Sequence, residues 1–140
     1  MARLTDPADL VARVTAARVA RLSTIRPDGT PRLVPITFAV VDGLLGSAVE
    51  TVKPKASTRL ARLADVRRDA RVGVLVDHYD EDWARLWWVR IDGTAAIVQD
   101  HPALVTALRA KYESYRSESI SGPFLVLTPL RWTGWSAAAP

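Results

Sequence analysis

Val19-Ala-Arg-Leu-Ser-Thr-Ile-Arg-Pro-Asp-Gly-Thr-Pro-Arg-Leu-Val-Pro-Ile-Thr-Phe-Ala-Val40 is the stretch on which the reading of this chain turns. Val19 to Ile25 reads as a strand, and Arg26-Pro-Asp-Gly29 is a strong turn signal, proline presetting φ and glycine relaxing it. A second strand, Arg32 to Val40, then returns to form a hairpin. On it Arg32, Val34, Ile36 and Phe38 share one face, and Leu33, Pro35, Thr37 and Ala39 the other. Pro35 cannot donate to a ladder, so the strand has an edge-like or bulged side there. A carbonyl-rich edge of that kind is where a flat polar ring can dock against main chain.

Working outward, Asp6-Pro7 is an N-cap followed by proline, and Leu10, Val11, Val14 and Ala17 fall on one face of the short helix it opens. Downstream, Asp42-Gly43 turns the chain into a third strand, Leu44 to Glu50. A helix ending near Val66 follows, carrying Leu60, Leu63 and Ala64, and then a fourth strand, Val72 to Asp77, whose apolar run suggests burial on both faces. After an acidic loop, a fifth strand runs from Arg85 past Asp92-Gly93 to Val98. Asp100-His-Pro102 opens a last helix with Leu104, Val105, Leu108, Tyr112 and Tyr115 at helical spacing. Phe124 to Trp132 is the sixth strand, with Pro129 marking a bulge or an edge. So few helices among the strands exclude the alternation of a doubly wound sheet. The expectation is a mainly β fold: one domain over 1–140, a six-stranded antiparallel closed or split β-barrel.

Composition narrows function. The 140 residues include no cysteine and two histidines far apart, which leaves no thiol chemistry and no thiolate or His-rich metal site. No apolar run approaches the roughly 18 residues of a membrane span. The N-terminus lacks the apolar core of a signal peptide, so a cytoplasmic location is expected. A net charge of +4 points to an anionic partner. Arginine is scattered through every segment, which argues against a nucleic-acid-binding stripe. Dinucleotide-binding, P-loop, zinc-protease and nucleophile-elbow motifs are absent.

Three clusters remain. Thr51-Val-Lys-Pro-Lys-Ala-Ser-Thr58 runs into the second helix and combines Lys53 and Lys55 with hydroxyls and the free N–H groups of a helix start, the parts of a phosphate cradle; Ser57 or Thr58 is the expected cap. Lysines beside a proline also serve as plain solvated charges. Asp80-Glu-Asp82 has the composition of a cation loop without the spacing of one, and solvated carboxylates are its simpler reading. Trp87 and Trp88 adjoin on a strand, so one packs inward and the other faces out, as part of a subunit interface or as the wall of a planar ligand.

Together, Val52-Lys-Pro-Lys55, Arg59-Leu-Ala-Arg-Leu63, Leu75-Val-Asp-His-Tyr-Asp-Glu-Asp-Trp83, Leu86-Trp-Trp-Val-Arg-Ile-Asp-Gly93 and the opening hairpin with Pro27-Asp-Gly-Thr-Pro31 resemble the deazaflavin-dependent branch of the pyridoxamine-phosphate-oxidase-like split β-barrel family, over nearly the whole chain. The resemblance implies an FMN-binding-like fold and a homodimer with two cofactor sites between subunits. It implies that the coenzyme phosphate lies at Lys53, Lys55, Ala56, Ser57 and Thr58. Its ring would lie along Arg32, Val34, Pro35, Ile36 and Thr37, with Trp87 and Trp88 of the other subunit closing over it. Ala56 stands where many relatives carry a basic residue.

The function implied is an oxidoreductase that uses coenzyme F420 to pass a hydride to an unsaturated or conjugated small molecule, with no catalytic acid–base dyad and no metal. FMN on the same barrel is the alternative cofactor. A non-catalytic cofactor carrier or a barrel that binds single-stranded nucleic acid by stacking on tryptophan is the alternative outside enzymes. The acidic run beside the indoles opposes the nucleic-acid reading, and no membrane partner is expected.

Overall fold

The structure, a computed structural model, describes residues 2–49 and 56–138, with main chain alone for residues 56–60. In order the elements are β1 Ala2–Leu4, α1 Pro7–Ala16, β2 Ala20–Ile25, β3 Pro31–Ile36, β4 Ala39–Val41, β5 Leu44–Ala48, α2 Ala56–Arg68, β6 Arg71–His78, β7 Trp87–Val98, α3 Pro102–Lys111, α4 Ser114–Ser117 and β8 Phe124–Ser136.

Local signals act where they were expected. The Asp6 side chain accepts from the Ala8 N–H at 3.0 Å and caps α1, with Pro7 as its first residue. In the β2–β3 turn Asp28 Oδ1 accepts from both the N–H and the hydroxyl of Thr30, and Gly29 takes φ 86°. Asp42 and Gly43 both adopt positive φ, the two-residue geometry whose twist suits an antiparallel hairpin, and join β4 to β5.

All pairings among the described residues are antiparallel, and the sheet runs β3-β2-β6-β7-β8-β5-β4, with β1 beside β8. Its two outermost strands, β3 and β4, are consecutive in the chain and joined only by Thr37 and Phe38. Laid flat, seven strands at about 4.8 Å spacing would separate those edges by about 29 Å. Three Cα–Cα steps from Ile36 to Ala39 reach about 11 Å at most. The sheet therefore has to curl almost shut, and it stays open along the β3/β4 seam. The result is a split antiparallel barrel.

Its interior is filled by Leu22, Ile36, Phe38, Leu45, Val72, Val74, Val76, Val89, Ile91, Leu125 and Leu127, with Leu10 and Val14 of α1 and Leu63 and Val66 of α2 closing it. A second cluster, Leu104, Leu108, Tyr112, Tyr115 and Phe124, seats α3 and α4 on β4 and β5.

Several expectations change. Among the described residues eight strands replace six: the predicted Arg32–Val40 strand is cut in two at the seam, and Ala2–Leu4 adds a short strand along the end of β8, which continues four residues beyond Trp132. β6 is buried on one face only, since Leu75 and Asp77 are exposed between Val72, Val74 and Val76. Trp83–Arg85 forms a short 3-10 turn, capped by Asp82, and the strand begins at Trp87. The third helix stops at Lys111; Tyr112 is its extended cap, and Tyr115 belongs to α4. The second helix extends to Arg68. At Pro129 the bulge is confirmed, the register slipping by one residue between Asp92 and Gly93 opposite Leu130.

Candidate functional site

Among the described residues the most completely buried charged side chain is Asp65 on α2, 1 % exposed. Its Oδ2 accepts from the Thr24 hydroxyl at 2.8 Å and from Arg32 Nε at 2.6 Å, and its Oδ1 from Arg68 Nη2 at 3.3 Å. Arg68 also donates to the carbonyl of Ile25. Burial raises the Asp65 carboxyl, and the bonds from Arg32, Thr24 and Arg68 lower it by more, so it sits below the usual carboxylate range. One carboxylate thus ties α2 to both strands of the opening hairpin.

The seam itself is locked by α3 and α4. Phe38, fully buried, gives its N–H to the Tyr112 hydroxyl at 3.2 Å, and that hydroxyl lies within donating distance of the carbonyls of Arg18 at 2.9 Å and Phe38 at 3.2 Å. Thr37 shares a 2.7 Å hydroxyl bond with Tyr115, and its carbonyl accepts from Ser47 at 2.8 Å. Lys111 Nζ donates to the Phe38 carbonyl at 3.0 Å and lies 3.8 Å from the centre of the Phe38 ring. Burial, with the charge of Arg18 nearby, lowers its ammonium to about 8.

Along β3 the polar main chain is divided by register. Hydrogen-bonded and non-hydrogen-bonded residue pairs alternate in an antiparallel ladder. Arg26 donates to the Thr30 carbonyl at 2.8 Å, so the ladder continues through Thr24–Arg32, Leu22–Val34 and Ala20–Ile36. The main-chain groups of Pro31, Leu33 and Pro35 consequently turn to the open edge, which pairs with no strand among the described residues. The Pro31 carbonyl already accepts from Arg26 Nη1 at 2.6 Å, so that edge offers the carbonyls of Leu33 and Pro35 and one N–H, that of Leu33. Pro35 stands on an edge strand, as its missing donor required. Of the residues expected along the ring, Arg32 directs its guanidinium to Asp65, Val34 and Ile36 point into the barrel, and Pro35 and Thr37 lie on the exposed side and at the seam.

At α2 the helix starts at Ala56, so Ser57 and Thr58 occupy its first turn and neither is the cap. The first-turn N–H groups of Ala56, Ser57 and Thr58 have no acceptor within the helix. Lys53 and Lys55 lie outside the described residues.

The two adjacent tryptophans separate as alternation demands. Trp87 packs inward, with Arg13 5.1 Å from its ring centre and His78 stacked at 6.2 Å and 20°. Trp88 lies on the outer face, in register with Asp77 on one side and Trp135 on the other. The acidic loop uses its carboxylates locally: Asp80 accepts from the Asp82 N–H, Asp82 from the Ala84 N–H, and Arg85 lies within 4.0 Å of Asp80 and 3.8 Å of Asp82.

Asp65 and Lys111 were not singled out from the sequence, and Tyr112 and Tyr115 were read there only as residues of a helix face. An acid among the apolar positions of α2, Leu63-Ala-Asp-Val66, was the one available signal for the first.

No curated protein matches the chain. Among solved structures, a conserved hypothetical protein from Mycobacterium tuberculosis superimposes with a TM-score of 0.76 at 23% identity, over 96% of this chain and 86% of that one. A protein from Mesorhizobium loti described as FAD-binding gives 0.69 at 22%, covering 95% and 93%. An FAD-binding protein from Mycobacterium smegmatis gives 0.65 at 19%, covering 96% and 97%. At these identities the likeness is one of fold. The family profile of pyridoxamine 5'-phosphate oxidase matches residues 7–136, nearly the full length of the curled sheet and its helices, and the chain belongs to that family.

Proposed function

We propose that this protein is an oxidoreductase that holds a planar flavin-type ring along the open edge of β3 and the phosphate of the same coenzyme at the start of α2. The observation that carries the reading is the β3 edge, which no strand covers among the described residues: it leaves two carbonyls and one N–H, those of Leu33 and Pro35 and that of Leu33, open beside a seam fixed by four side chains. Such an edge suits a ring whose N–H is flanked by carbonyl oxygens. The first-turn N–H groups of α2, with the hydroxyls of Ser57 and Thr58 and the charges of Lys53 and Lys55, suit a phosphate. When bound, the ring supplies the hydride chemistry. The chain's own residues position it and shield it from water.

Coenzyme F420 is the first choice of ligand, on the residue runs that resemble the deazaflavin branch, with an unsaturated or conjugated small molecule as hydride partner. FMN is the second, favoured by the family and by FAD-binding relatives of the same fold. The outer face supports a homodimer: Leu33 and Leu75 are 68 % and 40 % exposed on it, Trp88 and Trp135 lie on the same face further along β7 and β8, and a second copy would cover them. In that arrangement Trp88 faces the other subunit's ring, and Trp87 braces it from inside.

Side-by-side titration of tryptophan fluorescence with F420 and with FMN tests the reading. Saturable micromolar quenching by F420 supports the deazaflavin choice, and preference for FMN transfers the site to the second ligand. Absence of binding by both removes the proposal.

A further inference from the structure

We infer that Asp65, which touches no part of the proposed ligand, is a positioning residue for it: by gripping Arg32 of β3 and Arg68 of its own helix, it sets where the start of α2 stands relative to the strand that takes the ring. The inference rests on the proposed coenzyme site and adds the residue that keeps its two halves in register.

A carboxylate withdrawn from water is unfavourable unless its lone pairs are met, and a hydrophobic residue of similar size would serve packing alone at least as well. Here the lone pairs are met by three donors from three elements: Thr24 on β2, Arg32 on β3 and Arg68 on α2. Arg68 adds a bond to the Ile25 carbonyl, so the last turns of the helix are pinned to the hairpin at two points.

Those pins act at a distance. Ala56 lies nine residues before Asp65, roughly 14 Å along the helix axis at 1.5 Å per residue. A tilt of about 10° at the clamp would displace the helix start by about 2 Å, enough to break hydrogen bonds whose useful range spans only about half an ångström. A ring bound on β3 and a phosphate bound at the helix start belong to one molecule of fixed length, so their spacing matters more than either part alone. Arg32 therefore acts through its guanidinium on the helix, while its strand carries the ring.

The test uses two ligand pairs that share a ring and differ in the phosphate-bearing tail: FMN with riboflavin, and F420 with its phosphate-free deazaflavin core. For whichever pair the wild-type protein binds, the phosphorylated member should be favoured by about tenfold or more, the value of one or two charge-assisted bonds. In Asp65→Asn that preference should fall to about threefold or less, while affinity for the phosphate-free ring changes by less than about threefold. A purely structural loss would weaken both members together.

Arg68→Gln, which removes one donor and leaves the Asp65–Arg32 bond, should show a smaller loss of the same kind and serves if Asp65→Asn does not fold. Arg71→Gln removes an equal charge from an exposed pair with Asp69 and should leave the preference unchanged. Folded Asp65→Asn and Arg68→Gln proteins that keep the wild-type preference overturn the inference, as does an Arg71→Gln protein that loses it equally. A wild-type protein that binds both members of each pair alike overturns the phosphate assignment itself, and the inference with it.

Discussion

Replacing Tyr112 with Phe removes one oxygen and leaves the ring in place. Its energetic consequence can be worked from three contacts. The Phe38 N–H loses its acceptor, and Phe38 is fully buried, so no water replaces it. An unsatisfied buried amide costs about 1–3 kcal/mol. The Phe38 carbonyl keeps a donor in Lys111 at 3.0 Å, and the carbonyl belonging to exposed Arg18 regains water, so each adds little. The expected loss is about 2 kcal/mol. For a chain of this length that lowers the midpoint of thermal unfolding by about 7 °C. Urea denaturation followed by far-ultraviolet circular dichroism should show a lower midpoint with the slope unchanged, and amide hydrogen exchange should show faster exchange at Phe38 in particular. Tyr115→Phe is the internal comparison: it loses the 2.7 Å bond to half-buried Thr37 and should cost about 1 kcal/mol. A Tyr112→Phe protein within about 0.5 kcal/mol of wild type, or one less affected than Tyr115→Phe, would refute the idea that this hydroxyl locks the seam.

Lys111→Met tests the lowered ammonium. Because its folded value, about 8, lies below the ordinary 10.5, the unfolded chain binds more protons between those limits. Wild-type stability relative to Lys111→Met should therefore be flat below pH 8 and rise from pH 8 to 10, as followed by urea midpoints across pH; a flat difference over that window contradicts the assignment. Gly93→Ala should cost about 3 kcal/mol or more, since a Cβ there would collide with the Thr128 carbonyl in the β7–β8 ladder, and recovery of soluble protein with a wild-type midpoint would contradict it. Leu75→Asp, on the outer face between Arg21 and Arg90 in register, should give a folded monomer by light scattering, and a persisting dimer would show that this face is not the interface. Lys55→Ala should weaken coenzyme binding by about tenfold, one charge-assisted contact's worth, with fold and assembly intact; unchanged titration removes Lys55 from the site.

What the chain announces locally was legible. Arg26-Pro-Asp-Gly29, Asp42-Gly43 and Asp6-Pro7 each carry their instruction within a few residues, and each turn and cap stands where it was read. The break at Thr37–Phe38 was not legible, because the hydroxyls and ammonium that hold it arrive from Lys111, Tyr112 and Tyr115, more than 70 residues later. The same remote bonds take Tyr112 and Tyr115 out of the helical spacing that first grouped them. Asp65 escaped notice because a helical pattern assigns charged residues to the wet face, and two of the three donors that make a dry one tolerable, Thr24 and Arg32, come from the distant hairpin. β1 is too short to carry a periodicity of its own.

Thr37 and Phe38 also govern which lengths of chain this architecture can accept. A bridge with no slack transmits any added residue straight into the spacing of the strands it joins, so a single insertion there should unseat the ring-bearing edge while leaving most of the ladder intact. The turn at Arg26–Thr30 stands at the opposite end of β3 from the seam and should absorb extra residues at its tip far more readily. Descendants of this sequence that diversify by growth would thus be expected to lengthen at the hairpin tip and to keep the two-residue bridge at constant length.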